Sequence, residues 1–331
     1  MSQLSRSAWE AERLAARLPY LRRRALLTAG VRAFFSSRFY LEVETPYAVA
    51  APGEEVHLRA ISLANGQYLQ NRYLHTSPEF SMKKLLAGGA GKIFQLARVW
   101  RDEPASDTHE AEFTMLEWYT TGAGLSGLMD EVESLLRAVL PPQFERRGQT
   151  ISLASFERLT VAEAFARHAG VPDLLSLPET PAALAAAAGA NLRGGETWED
   201  LFFRLLLERI EPHIGRGHPV FLTHWPASQA ALARRCPQDP RAAERFELYL
   251  AGIELANAFV ELTDAAEQRA RFIADRARRH ALYGPDWQLD EAFLAAVAQL
   301  PPCAGCAMGF DRLAMLASGA PRLQDVIWLP S

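Results

Sequence analysis

Arg101-Asp102-Glu103 and, a short loop later, Glu112-Phe113-Thr114-Met115-Leu116-Glu117-Trp118-Tyr119 place nucleotide-binding chemistry at both ends of one stretch. The guanidinium of Arg101 is a planar fork of donors for a phosphate. Glu103 can accept from an exocyclic amine, and Phe113 offers a flat face to a purine. A second arginine, Arg312, lies far downstream in Gly309-Phe310-Asp311-Arg312-Leu313. A separate patch, Glu247 to Leu262, carries acids at 247, 254 and 261 within apolar, strand-like sequence. Strand interiors disfavour glutamate, and buried carboxylates need cations or donors. Three such acids beside Asn257 point to Mg²⁺ ligands and an acidic pocket. The competing reading is the exposed face of an edge strand.

The elements that must position these groups are legible in outline. Ile93 to Trp100 and Phe113 to Tyr119 read as two strands of a hairpin around a polar loop. Residues 8–38 form a helical pattern with Leu14, Leu18, Leu21, Ala25, Val31, Phe34 and Phe35 as its apolar stripe. Glu42 to Pro46 is a short strand stopped by proline, and Ile61 to Leu74 a second hairpin around Asn65-Gly66. Thr76-Ser77-Pro78-Glu79 opens a helix to Leu86, with Pro78 in its first turn, and Gly88 to Gly91 ends it. Leu125 to Leu140 is amphipathic and helical. An alanine-rich, mostly helical insertion follows over about 143–215, its last helix running from Trp198 to Ile214. Val220-Phe221-Leu222 is a buried-type strand, Phe246 to Leu262 two strands, and Ala307 to Ala317 a strand-to-helix turn. The hairpins predict one α+β domain with a mainly antiparallel sheet flanked by helices.

The 331 residues, 49% hydrophobic and 22% charged, match a globular protein, and no apolar run approaches a membrane span. The first 24 residues lack the apolar core of a signal peptide, so a cytoplasmic protein is expected. A net charge of −4 argues against a broad nucleic-acid surface. Cys303 and Cys306 form a C-x-x-C, but Cys236 alone cannot complete a four-ligand zinc site. The simpler reading is two small residues in a glycine-rich strand.

Thr76-Ser77-Pro78-Glu79-Phe80, Glu112 to Tyr119, Pro226-Ala227-Ser228-Gln229-Ala230 and Gly252-Ile253-Glu254-Leu255-Ala256-Asn257, with the arginine pair, resemble class II aminoacyl-tRNA synthetases. Within that class the chain is similar to the lysyl-tRNA synthetase branch, and more so to the elongation factor P lysine ligase family. The resemblance implies a class II catalytic domain, a homodimer, and carboxylate activation with ATP and Mg²⁺. It implies that Arg101 and Arg312 are catalytic and that Arg101, Glu103, His109, Phe113 and Arg312 bind ATP. Ser77, Glu79, Glu117, Tyr119, Asn257, Glu261 and Ala307 would line the substrate pocket, and Glu247 and Glu254 would hold the metal. Glu79 would take the proximal amino group, and Glu117, Tyr119, Asn257 and Glu261 the distal ammonium. The implied substrate is lysine or (R)-β-lysine, transferred to a lysine ε-amine of elongation factor P.

Some positions depart from the family pattern. Asp107 and Thr108 precede His109 where an arginine is usual, and Glu110-Ala111 follow where Asn-Pro is usual. Ala258 and Val260 replace glycine and histidine, and Phe39 replaces a glycine in the first motif. Ala307 is the residue common in the ligases rather than the synthetases' glycine. No anticodon-binding barrel is expected ahead of the first motif, which makes tRNA an unfavoured partner. Two alternatives stay open: a truncated synthetase paralogue charging tRNA or another small acceptor, and a catalytically silent regulatory paralogue. Val31, Phe34, Phe35 and Phe39 are expected to supply part of the dimer's apolar surface, the alternative being that they pack within the protomer.

Overall fold

The computed structural model describes residues 8–64, 67–284 and 287–330, and the chain divides into two compact units. Unit 1 comprises residues 1–141 and 261–331, and unit 2 residues 142–260.

In unit 1 the long helix α1 (Ala11–Ser36) buries Leu21, Leu27, Val31, Phe34 and Phe35. Three of the residues expected at a dimer surface, Val31, Phe34 and Phe35, therefore pack within the protomer. Phe35 stacks on Phe94 with ring centroids 4.7 Å apart. Phe39 alone of that set is exposed, at 92%, and its φ of +62° lies in the left-handed region that favours glycine. Short strands β1 (Leu41–Glu42), β2 (Ala48–Val49) and β3 (Tyr73–Leu74) follow, and the proline-stopped strand is shorter than expected. Ser62 bridges Tyr73 antiparallel, four positions beyond the Leu69 that a two-residue turn at Asn65-Gly66 would set opposite it, so the legs pair around a longer connection than expected; Asn65 and Gly66 themselves lie outside the described residues. Helix α2 (Glu79–Ala87) is anchored by Phe80, which stacks on Phe293 at 4.0 Å. Strands β4 (Ile93–Trp100) and β5 (Glu112–Thr121) form the expected hairpin, and α3 (Leu125–Val139) follows.

The rest of unit 1 comes from the far end of the chain: α7 (Ala265–Tyr283), α8 (Glu291–Val297), β12 (Cys303–Gly309) and α9 (Phe310–Ser318). The strand order here is β1-β4-β5-β12, antiparallel except for the β1–β4 pair. Because side chains alternate along a strand, β5 serves two environments. Thr114 and Trp118 face the helices: Arg24 and Asp311 bond Thr114, and Glu131 bonds the Trp118 indole at 3.0 Å. Phe113, Met115, Glu117 and Tyr119 line the other face.

Unit 2 opens differently from the expected helical insertion. A tight hairpin, β6 (Gln143–Arg146) and β7 (Gln149–Ser152), turns at Arg147 and Gly148, both at positive φ. Strand β8 (Glu157–Thr160) then leads into short helices α4 (Val161–Ala164), α5 (Pro181–Ala188) and α6 (Trp198–Leu205). Two threonines end in capping boxes, Thr160 with Glu163 and Thr197 with Asp200. The helices pack through Phe165, Phe202 and Trp198, with Phe165 and Phe202 stacked at 4.9 Å. They lie against β9 (Val220–Pro226), whose neighbours are β8 and β10 (Ala242–Leu250); β10 pairs with β11 (Ile253–Val260) around Ala251-Gly252.

Candidate active site

In unit 1, Arg101 leaves the end of β4 with its N–H bonded to the Ala111 carbonyl at 2.9 Å, which closes the hairpin loop. Its guanidinium lies 5.4 Å from the Phe113 ring centroid. The Arg101 Nε is buried and has no hydrogen-bond acceptor among the described residues. A buried donor left unpaired is costly, so this atom calls for an anion. Glu103, half-buried, follows in the same turn. Across the loop, Arg312 Nη2 donates to His109 Nε2 at 2.7 Å and Nε donates to the Thr108 carbonyl at 3.2 Å. The Ser106 hydroxyl lies 2.9 Å from His109 Nδ1. The loop that departs from the family pattern is held from the C-terminal side: Leu323 N–H bonds the Asp107 carbonyl, and the Gln324 amide bonds Ser106 O and Glu110. Asp311, buried between Arg24 and the Thr114 N–H, fixes the start of α9 and so the base of Arg312.

The pocket-facing side of β5 carries an acidic cluster. Glu117, 2% exposed, accepts from Ser77 Oγ at 2.7 Å and from Tyr119 OH at 2.6 Å. Glu79, one end of α2, and Glu261, just beyond β11, both pair with the buried ammonium of Lys83. Glu261 Oε1 has no hydrogen-bond donor among the described residues. Burial, with Glu79 nearby, pushes Glu117 up to about 7, and burial pushes Glu261 up to about 8 against the pull of Lys83. Burial opposes the charge on Lys83, but Glu261 and Glu79 outweigh it and hold its pKa above the ordinary lysine value. An ammonium-bearing ligand would displace the protons that these raised carboxyls retain. Gly305 faces Tyr119 across the β5–β12 ladder; a Cβ there would stand 2.3 Å from the tyrosine ring and 2.7 Å from Glu261 Oε1. Ala307, opposite Glu117, packs with Phe113 against Ala97, Val99 and Met115.

Unit 2 holds the remaining candidates on its β10–β11 hairpin. Glu247 lies opposite Asn257, and Tyr249 opposite Glu254. Arg245 bonds both Asn257 Oδ1, at 3.1 Å, and Glu247 Oε1, at 2.6 Å; Tyr249 OH bonds Glu247 Oε2 at 2.8 Å. Burial, and then the neighbouring Glu254, push Glu247 up to about 7. Gly215 supports this hairpin from below: its φ is +67°, and a Cβ would stand 2.7 Å from the Tyr249 backbone.

The model of the tRNA synthetases class II (D, K and N) family matches residues 10–331. An elongation factor P--(R)-beta-lysine ligase of Salmonella dublin is 44% identical over 321 residues, covering 94% of this chain and 95% of the relative. The chain belongs to this ligase family, within the class II synthetases. A ligase of the same description from Hamiltonella defensa is 43% identical, over 94% of each chain. The class II frame agrees with the α+β, mainly antiparallel architecture found in each unit.

Within this family frame, unit 1 contains Ser77, Glu79, Arg101, Glu103, His109, Phe113, Glu117, Tyr119, Glu261, Ala307 and Arg312, and unit 2 contains Glu247, Glu254 and Asn257. Two polar residues of the pocket escaped sequence reading. Lys83 sits one turn after Glu79, the spacing of an ordinary surface ion pair, so nothing in the sequence marked it as buried. Gln95, opposite Glu117 and 2% exposed, has an amide nitrogen without a partner among the described residues. Cys303 and Cys306 are free and buried, in line with the simpler reading of the C-x-x-C. Among the described residues no group of three or more His, Cys, Asp or Glu could hold a metal. Two mutually repelling carboxylates, Glu247 and Glu254, still fit Mg²⁺, which commonly takes one or two from the protein and the rest from water and phosphate.

Proposed function

We propose that the protein activates (R)-β-lysine with ATP and transfers it to a lysine ε-amine of elongation factor P. What carries this reading is the pairing, within unit 1, of an arginine lacking an acceptor at Nε and a buried three-carboxylate pocket. A diamino carboxylate is the chemical complement of that pair. The 44% identity over 94% of the chain to ligases of that description supports the acceptor and the substrate isomer. In the first step a carboxylate oxygen attacks the α-phosphorus of ATP in line, and pyrophosphate leaves. In the second the acceptor amine attacks the acyl carbonyl, AMP leaves, and the amine's proton goes to solvent. Little covalent work falls to the protein, so positioning and charge stabilisation account for the rate. Arg101 holds the carboxylate against the α-phosphate. Phe113 and Arg312 enclose the adenine, and Glu103 accepts from its amino group. His109, held by Arg312, stands by the phosphates. Ser77 orients Glu117; Glu79 takes the proximal amino group, and Glu117, Tyr119 and Glu261 the distal ammonium, beside Ala307; in unit 2, Asn257 shares Arg245 with Glu247. Glu247 and Glu254 would hold Mg²⁺, which when bound offsets charge on phosphate oxygens. Among the described residues no helix is long and apolar enough to cross a membrane.

Mass spectrometry of purified elongation factor P after incubation with enzyme, ATP and each lysine isomer tests the proposal. One added β-lysyl group on one lysine is expected, with poor charging of lysine tRNA. Efficient aminoacylation of tRNA with no mass shift on the protein would favour the synthetase alternative, and absence of pyrophosphate exchange the silent one.

The exposed, strained Phe39, with exposed Leu41 two residues on, supports a homodimer built on the first motif. Light scattering at micromolar concentration should give twice the chain mass, and Phe39→Gly should weaken the dimer while relieving the backbone. A monomeric wild type would rule the dimer out.

A further inference from the structure

The pocket expected to receive a substrate's ammonium groups already contains one of the chain's own. Lys83 is 2% exposed, and its Nζ is bonded to Glu79, at 2.5 Å, and to Glu261. On the buried face of α2, Lys83 sits one turn after Glu79 among Phe80, Met82 and Leu86, and a buried lysine there is expensive unless it has work that an apolar side chain could not do. We propose, on the reading of the pocket given above, that Lys83 is a positioning residue that sets the pocket's charge. By pairing with Glu79 and Glu261 it leaves three buried carboxylates and one ammonium, and the remaining charge of two is what a diamino carboxylate's two ammonium groups neutralise.

The surrounding groups fit this role. The donors on Glu117 are hydroxyls of Ser77 and Tyr119, which orient its charge without cancelling it. Glu261 Oε1 has no donor among the described residues and lies against Gly305, where no side chain intervenes. The thiol of Cys303, near Glu261 and Lys83, is pushed up to about 12 by burial and stays neutral. Phe293, 6.0 Å from the Lys83 nitrogen, contributes an apolar wall. Glu55 interacts with Glu79 and Arg101; burial and then Glu79 push its carboxyl up against the pull of Arg101, so it belongs to the Arg101 end of the site, where that guanidinium offsets its charge. A substrate with one ammonium would leave a buried carboxylate unpaired.

The test is a double-mutant cycle read by ATP–pyrophosphate exchange with (R)-β-lysine, since coupled charges depart from additivity. Lys83→Met leaves one negative charge too many and Glu261→Gln one too few. Each should raise KM for the amino acid about tenfold or more and change KM for ATP by less than about twofold. The double variant restores the balance, and its amino-acid KM should fall below that of Glu261→Gln alone. A space-filling role for Lys83 predicts no such recovery. If Lys83→Met does not fold, the comparison of the double variant with Glu261→Gln decides alone. A double-variant KM equal to or above that of Glu261→Gln overturns the inference. A wild type without exchange for any diamino carboxylate would instead overturn the proposed activity.

Discussion

Arg101 shows how much a single residue's surroundings define its chemistry. Its backbone is locked by the Ala111 carbonyl, its face rests near Phe113, and its buried Nε points at no acceptor among the described residues. It is thus preorganised for an anion that the chain does not supply, the arrangement that stabilises charge developing in a transition state. Arg101→Ala should lower pyrophosphate exchange by about a hundredfold or more, the scale on which loss of one transition-state donor acts. Because Nε has no protein acceptor among the described residues, losing that donor does not itself unfold the chain, and circular dichroism should show the variant folded. Exchange within a few-fold of wild type would remove Arg101 from the mechanism.

At the scale of elements, the pocket depends on two strands approaching more closely than side chains permit. The β5–β12 ladder sets Gly305 against Tyr119, and the tyrosine ring occupies the place of a Cβ. Tyr119 in turn orients Glu117 through a 2.6 Å hydrogen bond. Gly305→Ala must therefore displace the ring or the strand, an overpacking that typically costs about 1–3 kcal/mol. The expected result is a lower melting temperature and a raised KM for the amino acid, with KM for ATP little changed. A crystal structure of the variant with Tyr119 unmoved, or a KM effect confined to ATP, would contradict this account. Helix α2 plays the complementary part, since the Phe80–Phe293 stack holds the helix that carries both Glu79 and Lys83.

At the scale of the whole molecule, the buried acids make stability depend on pH. Glu117 and Glu247 are pushed up to about 7 and Glu261 to about 8, from an ordinary 4.5. The folded state then binds protons that the unfolded chain has already released, so stability is highest below about 4.5 on this account and falls as pH rises through about 8. Acids held low by arginine or capping, such as Glu157 and Glu163, lose their contribution only on the acid side of that window. The melting temperature of the free enzyme should decline from pH 6 to pH 8. Mg²⁺ alone should raise it more at pH 8 than at pH 6, because the cation needs Glu247 ionised. Glu247→Gln should abolish that difference, and equal Mg²⁺ shifts at both pH values would refute the pair as a cation site.

What the sequence determined by itself was the set of chemical parts and the local elements that carry them. The hairpin from Ile93 to Tyr119, the helix after Thr76 and the β10–β11 strands were legible because alternation, proline and glycine act over a few residues. The family-like phrases at Arg101, Glu117, Glu254 and Arg312 were legible because each is contiguous. The β6–β7 hairpin has only four residues a strand and falls inside the stretch read as a helical insertion, and its turn at Arg147-Gly148 carries only one glycine. Burial and charge pairing belonged to the tertiary structure alone. Val31, Phe34 and Phe35 are core and Phe39 is surface, although all four are apolar and close in sequence. Lys83 and Glu261 meet across 178 positions of chain, and Arg312 reaches His109 across 203. A carboxylate in an apolar run reads the same whether it meets water, a lysine or a vacant pocket. Only the folded chain decides which, because the energy of a charge is set by the partners and solvent around it.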